Sequence, residues 1–355
     1  MDHSPSTTSD GSLPMSETMT AGAQMAAEIA EQPDVLARLL GRATEIEEVA
    51  AAVRRRKPRF VLLAARGTSD HAALYAKYLV EIRLGLPAGL VSPSTMTLYK
   101  AKPDLSDVLF VAVSQSGGSP DLAESTAVAR ECGATTVALT NVPGSPVHEA
   151  ADFSFALEAG EELAVAATKS YTAELLALYL LLGGDPAGAA ALPAAAAATL
   201  DNAAAVHAAA ARYRFANRLV TTGRGYSYPS AREGALKLME TSYLSAHAFS
   251  TADLLHGPVA MLDSNVPLIA VLSGDAGGDS ARAAVDRLRD TGTDVLVVGP
   301  DAGERGLALV TEGVVPELAP VLEILPLQQF AWRLALDRGA DPDRPRGLAK
   351  VTRTR

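Results

Sequence analysis

The chain has 355 residues, of which 48% are apolar and 20% charged, a balance typical of a soluble globular protein with a large core. Its net charge of -10 argues against a nucleic-acid-binding surface, which would need a basic patch. A single cysteine, Cys132, excludes an internal disulfide and a thiolate metal site. No apolar run reaches the roughly 18 residues of a membrane span, and the first residues lack the pattern of a secretory signal. We therefore expect a cytoplasmic protein that binds neither nucleic acid nor membrane.

The N-terminal part divides into a polar segment and a helical one. Residues 1–20 are rich in serine and threonine and have no hydrophobic period, which predicts disorder. Apolar residues then recur at helical spacing up to about Val53, and Pro33 marks a break between two helices. Segment 21–57 is therefore predicted to be a helical lead-in.

Strand and helix patterns alternate after this lead-in. Continuous apolar runs, typical of strands buried on both faces, occur at 59–65, 107–113 and 135–140, with a weaker one at 154–157. Helical patterns follow the first two runs. Such repetition is typical of a parallel sheet with helices on both faces, so we predict an α/β domain over 58–185.

A second α/β domain is predicted over 213–325. An alanine-dense stretch before it predicts a linker helix over 186–212. The strand-plus-loop stretches 108–119 and 266–279 then occupy equivalent places in the two domains, which indicates an internal duplication. Segment 326–355 is predicted to be a C-terminal helix followed by an irregular tail.

The loop Ser114-Gln-Ser-Gly-Gly-Ser119 lies between a buried strand and a helix. Amide groups at a helix start, together with hydroxyl and carboxamide side chains, suit a phosphate. One serine would be explained as a helix cap, but three serines with a glutamine favour the phosphate. A second loop, Arg66-Gly67-Thr68-Ser69, is placed at the same end of the sheet, where ligands of open α/β folds bind. Because neither nucleotide-binding fingerprint occurs, a small phosphorylated metabolite is predicted.

The two copies differ at the equivalent loop. The second copy has Asp275 and Asp279 where the first has serines and a glutamine. Carboxylates repel a phosphate, so we expect the first copy to hold the anion. The second copy then supplies the helix that carries Lys237 and Glu240.

The stretch 233–258 carries residues suited to proton transfer. Lys237 and Glu240 are three residues apart in a helical pattern and share a face, and His256 precedes a Gly-Pro turn. The simpler explanations are a solvated ion pair and a hydrogen-bonded turn histidine. Cys132 is expected to be a structural thiol. Four further histidines show no metal spacing and are assigned no role: His71, His148, His207 and His247.

Six motifs in order resemble the sugar isomerase (SIS) family. They are G-T-S, S-Q-S-G, A-A-T-K, E-G-A-L-K-L-x-E, H-G-P and a terminal L-A-K, and they span nearly all of residues 20–355. The resemblance is to the isomerase half of glucosamine-6-phosphate synthase. The segment A-R-G-T-S-D-H-A more closely resembles stand-alone SIS-type glucosamine-6-phosphate deaminases. It implies two tandem doubly wound, flavodoxin-like SIS domains.

The resemblance also implies roles for particular residues. Glu240 would move a proton between C1 and C2 of the sugar, and Lys237 would support it. His256 would assist ring opening, and Lys350 would close over the sugar. Arg66, Gly67 and Ala167 are further substrate-binding candidates. The residues implied to bind the sugar phosphate are Thr68, Ser69, Ser114, Gln115, Ser116 and Ser119.

No cofactor or metal is implied, and the expected partner is a small sugar phosphate. In the synthase the H-G-P histidine comes from the neighbouring subunit, so a homodimer with His256 shared across the interface is implied. The chain also departs from the synthase. Arg66 replaces a cysteine and Ala167 a serine, and Cys132 is not placed as a glutaminase nucleophile.

We therefore expect no glutamine hydrolysis by this chain. The predicted reaction converts glucosamine 6-phosphate to fructose 6-phosphate and ammonia by ring opening, C2-to-C1 proton transfer and imine hydrolysis. Alternatives are a fructosamine-phosphate deglycase, a glutaminase-free aminosugar-phosphate synthase and a non-enzymatic sugar-phosphate sensor. The sensor is disfavoured by the two α/β copies, the negative net charge and the presence of Lys237, Glu240 and His256.

Overall fold

The computed structural model describes residues 20–290 and 292–350, so nearly all of the predicted disordered segment 1–20 lies outside the described residues. The lead-in forms three helices, α1 (Ala23–Ala30), α2 (Gln32–Gly41) and α3 (Ala43–Arg55). Pro33 lies in the first turn of α2, where its missing N–H costs nothing. A further break at Arg42, directly after Gly41, makes three helices from the pattern that predicted two.

The first half forms a five-stranded parallel sheet in the order β2-β1-β3-β4-β5. Each predicted strand is present. The short β2 and α5 were not predicted, because five residues or fewer show no clear period. The elements are β1 (Phe60–Ala64), α4 (Thr68–Leu79, extended by a π-helical turn, Val80–Leu84), β2 (Ala88–Leu90), α5 (Pro93–Thr97), β3 (Val108–Ser114), α6 (Pro120–Glu131), β4 (Thr135–Thr140), α7 (Pro146–Ala150), β5 (Phe153–Ala156) and α8 (Lys169–Leu181).

The second half forms another five-stranded parallel sheet, in the order β10-β9-β8-β6-β7. The edge strands β7 and β10 were not predicted. The elements are α9 (Leu192–Leu200), α10 (Ala203–Tyr213), β6 (Arg218–Gly223), α11 (Ser227–Ser242), β7 (Ser245–Ser250), α12 (Thr251–Leu255), β8 (Leu268–Val271), α13 (Ala276–Asp290), β9 (Val295–Gly299), β10 (Leu307–Ala308) and α14 (Ala319–Asp337), with 3-10 turns at Pro186–Ala189, Pro258–Met261 and Pro316–Leu318.

The two sheets have the same topology. Counted within its own half, each sheet has the strand order second, first, third, fourth, fifth. This is the flavodoxin-like order of a doubly wound sheet. The tandem α/β fold predicted from the duplicated motifs is therefore confirmed.

Two helix predictions were wrong in detail. The linker predicted as one helix over 186–212 is two helices, α9 and α10, separated at Asp201–Asn202. The C-terminal helix begins at Ala319, within the segment assigned to the second domain, and contains Pro326 in its interior. Proline disfavours an interior helical position, which is why the pattern placed the helix start there. Tertiary burial of all of the first ten residues of α14 offsets that cost.

One apolar cluster extends through both halves and contains Val61 from β1 and Leu219 from β6. Every residue of α8 is buried, and α14 packs against α8, α9, α10 and α11. Helix α11 also packs against α4, which brings the polar start of α4 close to the second half. Among the described residues no single helix is long and apolar enough to span a membrane, although the bent pair Pro186–Leu200 and Ala203–Tyr213 together has the length and composition.

Candidate active site

A cavity of about 370 Å³ lies at the carboxyl edge of the first sheet, between the loops that follow β1 and β3. These strands pair in register from Phe60–Val108 to Ala64–Ala112, so their loops leave the sheet side by side. After β1 the chain continues to β2 on one side, and after β3 it continues to β4 on the other side. This reversal of direction makes the site between β1 and β3 the switch point of the sheet. Open α/β sheets bind their ligands at such points.

The cavity collects all but two of the residues predicted for the site. Lys237 lies beneath the lining, and His256 lies outside it, exposed at the end of α12. Residues not predicted also line the cavity, among them Val165 and Leu348. The predicted residues in the lining are Arg66, Gly67, Thr68, Ser69, Ser114, Gln115, Ser116, Ser119, Ala167, Glu240 and Lys350.

The loop after β3 has a fixed shape. Gly117 has φ of 60°, and a Cβ atom there would lie 1.9 Å from Ser145 Oγ, so only glycine fits. Ser114 Oγ accepts the amide of Gly117 at 3.1 Å, and Ser116 Oγ accepts that of Gly118 at 3.3 Å. Each hydroxyl is an acceptor in these bonds and keeps its own O–H to donate to a ligand.

Three of the other predicted phosphate residues already donate within the protein. Ser119 Oγ donates to Asp121 at 2.7 Å, Ser69 Oγ to Glu174 at 2.8 Å, and Thr68 Oγ1 to Glu233 at 3.0 Å. The structure therefore separates Ser114 and Ser116, whose protons are available, from hydroxyls that hold the frame of the site.

Arg66 lies over the first turn of α6 and pairs with Asp121. Its Nη2 atom is 2.6 Å from Asp121 Oδ2, and Nε is 3.1 Å from the same oxygen. Asp121 is buried, whereas 46% of the Arg66 side chain is exposed. The guanidinium charge is thus matched inside the protein, which leaves the amide groups and hydroxyls of the loop after β3 as the groups suited to an anion.

A buried charge cluster lies beneath the cavity. Lys237 Nζ is 2.6 Å from Glu240 Oε2 and 3.2 Å from Glu233 Oε1, and it donates to Thr68 Oγ1 at 3.0 Å. The side chains of Lys237 and Glu233 are fully buried, whereas Glu240 is 21% exposed and lines the cavity. The solvated-pair explanation of Lys237 and Glu240 is therefore wrong, because α11 packs against α4 and covers the lysine.

The protonation states follow from the competing effects of burial and charge. Burial alone would lower the pKa of Lys237, but Glu233 and Glu240 raise it above its ordinary value. Burial would raise the pKa of Glu233, yet the Lys237 charge and a 2.7 Å hydrogen bond with His71 Nδ1 hold it below the ordinary value. The cluster thus contains a buried ammonium, Lys237, and a buried carboxylate, Glu233.

Lys350 reaches the cavity from the C-terminal tail. Its Nζ donates to Glu162 Oε2 at 3.0 Å and to the Ala164 carbonyl at 2.7 Å. Burial acts to raise the pKa of Glu162, but the Lys350 charge and hydrogen bonds from Ser170 and Thr168 hold it below its ordinary value. Leu348 and Ala349 of the tail also line the cavity.

Sequence reasoning missed several residues of the site, among them three that belong to the charge clusters around Lys237 and Lys350. Glu233 lies four residues before Lys237 and shares its helix face, so helical spacing could have identified it. His71 was assigned no role but is bonded to Glu233. Glu162 has no local signal, because its contact with Lys350 spans 188 residues of chain.

Together, the repeated flavodoxin-like sheet and a serine-rich loop at its switch point define a doubly wound α/β protein with a polar candidate ligand site. The sequence model of the SIS domain matches residues 56–183 and 213–300. These matches cover both sheets up to β9 and include most of the cavity lining. The chain therefore belongs to the SIS domain family.

Known proteins resemble the chain over most of its length. The glutamine–fructose-6-phosphate aminotransferase (isomerizing) of Aquifex aeolicus is 35% identical over 306 residues, which is 82% of this chain and 51% of that protein. The chain thus spans about half the length of the curated relatives that it matches. A protein of Silicibacter pomeroyi described as a phosphosugar isomerase is 35% identical, with a TM-score of 0.81 over 90% of this chain and 99% of the other. A glucosamine-6-phosphate deaminase of Thermotoga maritima, at 20% identity and a TM-score of 0.77 over 94% and 100% of the two chains, shares the fold.

Proposed function

We propose that this protein is a phosphosugar isomerase that acts as an aminosugar-phosphate deaminase, converting glucosamine 6-phosphate and water to fructose 6-phosphate and ammonia. The observation that carries the proposal is the position of Glu240. Its carboxylate faces the cavity 2.6 Å from buried Lys237, and the loop 114–119 lines the same cavity. The relatedness to an isomerizing aminotransferase and to a phosphosugar isomerase supports the sugar-phosphate class of substrate.

The phosphate would lie on the loop after β3. Ser114, Gln115 and Ser116 supply donors there, and the first turn of α6 adds its amide dipoles. The sugar carbons would then extend towards Glu240, with Lys350 over them. Such a placement uses the two halves of the protein for different tasks, anchoring and proton transfer.

The chemistry needs one base that serves two carbon atoms. In the open-chain aminosugar, Glu240 removes the C2 proton and returns it to C1. The amino nitrogen loses one proton in this step, and the carbonyl oxygen O1 gains one. The product is a 2-imino sugar, to which water adds before ammonia leaves. Lys237 keeps the Glu240 carboxylate in place and offsets negative charge that develops on the substrate.

His256 would open the sugar ring from the partner of a homodimer. It is exposed and absent from the cavity lining of its own chain. Exposed apolar side chains lie around it, namely Leu255 (40%) and Met261 (37%), which suits a surface that a second copy covers. A histidine side chain can donate and accept protons near neutral pH, as ring opening requires.

The direct test incubates the purified protein with glucosamine 6-phosphate and measures ammonia and fructose 6-phosphate. Glu240→Gln should lower kcat by about 10²- to 10⁴-fold, the usual contribution of a general base. Exposed Glu304→Gln is the matched control and should keep wild-type activity. Absence of turnover by the wild type, or unchanged turnover in Glu240→Gln, would overturn the proposal.

The alternatives are separated by changing the substrate. Fructosamine 6-phosphate tests for a deglycase, and fructose 6-phosphate with ammonia tests for synthesis in the opposite direction. A sensor would bind the sugar phosphate without converting any of them.

A further inference from the structure

Helix α1 receives its N-terminal cap from the other end of the chain. Its own N-cap residue, Gly22, has φ of 74° and no side chain to accept the free amides. The amides of Gln24 and Met25 instead donate to Asp343, at 3.0 Å to Oδ2 and 2.8 Å to Oδ1. The Gly22 amide donates to Asp341 Oδ1 at 3.1 Å. Asp343 therefore does what a local serine or aspartate does in most helices, and Asp341 accepts the amide of the N-cap residue itself.

The tail depends on such contacts for its position. Residues 339–350 form neither helix nor strand, so no backbone ladder holds them. Asp343 is only 6% exposed, and both of its oxygens are engaged by α1. On the other side, the Arg346 guanidinium lies 4.2 Å from the ring centre of Tyr243. Asp343 is the buried anchor that precedes Lys350 by seven residues.

The same helix also holds the segment that receives Lys350. Glu28 of α1 accepts the amides of Leu163 and Ala164, the latter at 3.2 Å. The Ala164 carbonyl accepts Lys350 Nζ at 2.7 Å. Met25 of α1 is buried in one apolar cluster with Ala164. Helix α1 thus contacts the tail that carries Lys350 and also the segment at Ala164 that binds the Lys350 side chain.

We propose that Asp343 is a positioning residue for Lys350, and that it acts by capping α1 so that the tail lies closed over the cavity. The inference rests on the proposed function, because it takes Lys350 to contact the sugar phosphate. Asp343 itself does not line the cavity and touches no substrate atom.

The expected effect follows from the strength of a cap. Replacing an aspartate N-cap by alanine shifts the equilibrium that it supports by about 2- to 30-fold. If the closed tail is needed for sugar binding, Asp343→Ala should raise KM by this factor. At saturating substrate the bound sugar selects the closed tail, so kcat should remain close to wild type. Asparagine caps helices as well as aspartate does, so Asp343→Asn should restore most of the affinity.

A double substitution decides whether Asp343 acts through Lys350. Lys350→Ala removes the ammonium group that the tail places at the cavity. In that background, Asp343→Ala should raise KM no further. Multiplication of the two KM effects would overturn the proposal, because Asp343 would then act by another route. A merely structural role would lower the active fraction, and hence kcat, without this dependence on Lys350.

Tail closure can also be measured without any sugar substrate. Trypsin cleavage after Arg346, followed by the mass of the truncated chain, reports how often the tail leaves its site. Asp343→Ala should be cut about 2- to 30-fold faster than wild type, and Asp343→Asn at nearly the wild-type rate. Equal rates for wild type and Asp343→Ala would overturn the proposal. Failure to convert glucosamine 6-phosphate would overturn the proposed function alone, since the cleavage rates would still decide the role of Asp343 in the tail.

The matched control removes a cap of the same kind elsewhere. Asp185 accepts the amide of Ala187 at 2.9 Å and caps the 3-10 turn Pro186–Ala189. Asp185→Ala should leave both KM and the cleavage rate after Arg346 unchanged. Equal effects of the Asp185 and Asp343 substitutions would show a general loss of stability and would contradict the specific role of Asp343.

Discussion

The Nζ atom of Lys237 lies 2.6 Å from Oε2 of Glu240; the lysine is fully buried, whereas the glutamate lines the cavity. Both residues belong to α11 of the second half, whereas the loop 114–119 that lines the same cavity belongs to the first half. Packing of α11 against α4 brings them together. The candidate site is therefore composite within one chain, and the two halves contribute different groups to it.

Removal of the buried lysine should destabilise the protein strongly. Lys237→Met leaves Glu233 buried with its principal counter-charge lost, which typically costs about 3–5 kcal/mol in the free energy of unfolding. The double substitution Lys237→Met with Glu233→Gln should recover most of this loss, because no uncompensated charge then remains at that position. Denaturant unfolding of the three proteins measures both effects.

An exposed pair with the same spacing is the control for this prediction. Lys77 and Glu81 are also four residues apart, with side chains 31% and 37% exposed. Lys77→Met should cost less than about 1 kcal/mol, as exposed ion pairs usually do. A loss for Lys237→Met as small as that for Lys77→Met would contradict the charge balance described for the cluster.

Substitution of Gly117 should damage substrate binding. Gly117→Ala places a methyl group 1.9 Å from Ser145 Oγ at a positive φ, so the loop after β3 has to move. A displacement near 1 Å at a binding site can cost about 100-fold, and we expect a comparable rise in KM for the sugar phosphate. Gly144→Ala is the control, because Gly144 has φ of 68° with open space around it. That variant should lose about 1–2 kcal/mol of stability with an unchanged KM, and equal KM values for the two variants would refute the steric explanation.

Stability should fall with rising pH because of Glu174. Burial raises the pKa of this carboxyl to about 8 in the folded protein, against an ordinary value of 4.5, although Ser69 bonded to it acts in the opposite direction. The unfolded chain releases the proton first, so stability present below pH 4.5 is lost as the pH rises to about 8. Glu174→Gln removes this loss, since the carboxamide still accepts the Ser69 hydroxyl.

The measurement compares unfolding free energies at pH 5, 6, 7 and 8. The difference in favour of Glu174→Gln should grow by a few kcal/mol, to order of magnitude, across this range. Exposed Glu304→Gln should instead follow the wild-type pH dependence. A difference between Glu174→Gln and wild type that stays constant with pH would show that Glu174 is ionised throughout.

Mixing two inactive variants tests the shared site in a homodimer. His256→Ala and Glu240→Gln would each remove one part of every site of the proposed homodimer. If His256 serves the partner, a mixed dimer has one intact site. Random equimolar mixing after dissociation should then restore about a quarter of the wild-type activity. No recovery, with mixed dimers shown to be present, would place His256 in the site of its own chain.

Much of the fold could be predicted from local pattern. Buried parallel strands such as β3 and β4 read as continuous apolar runs, and the serine-rich loop after β3 follows directly from the order of elements. The edge strands β2, β7 and β10 could not be predicted, because β2 and β10 have only two or three residues and β7 is largely half-buried or exposed. Most candidate site residues were identified from motifs, because the residues of a motif lie close together in the sequence.

The sequence by itself determined the repeated α/β units, the polar loop at the switch point and the lysine–glutamate spacing on one helix. All of these depend on neighbours within a few residues. Only the tertiary structure decided that Lys237 is fully buried, that Glu233 bonds His71, that Glu162 receives Lys350, and that Asp343 caps α1. The physical reason is that burial and charge pairing depend on which distant segments pack together, and no local period or propensity encodes that contact.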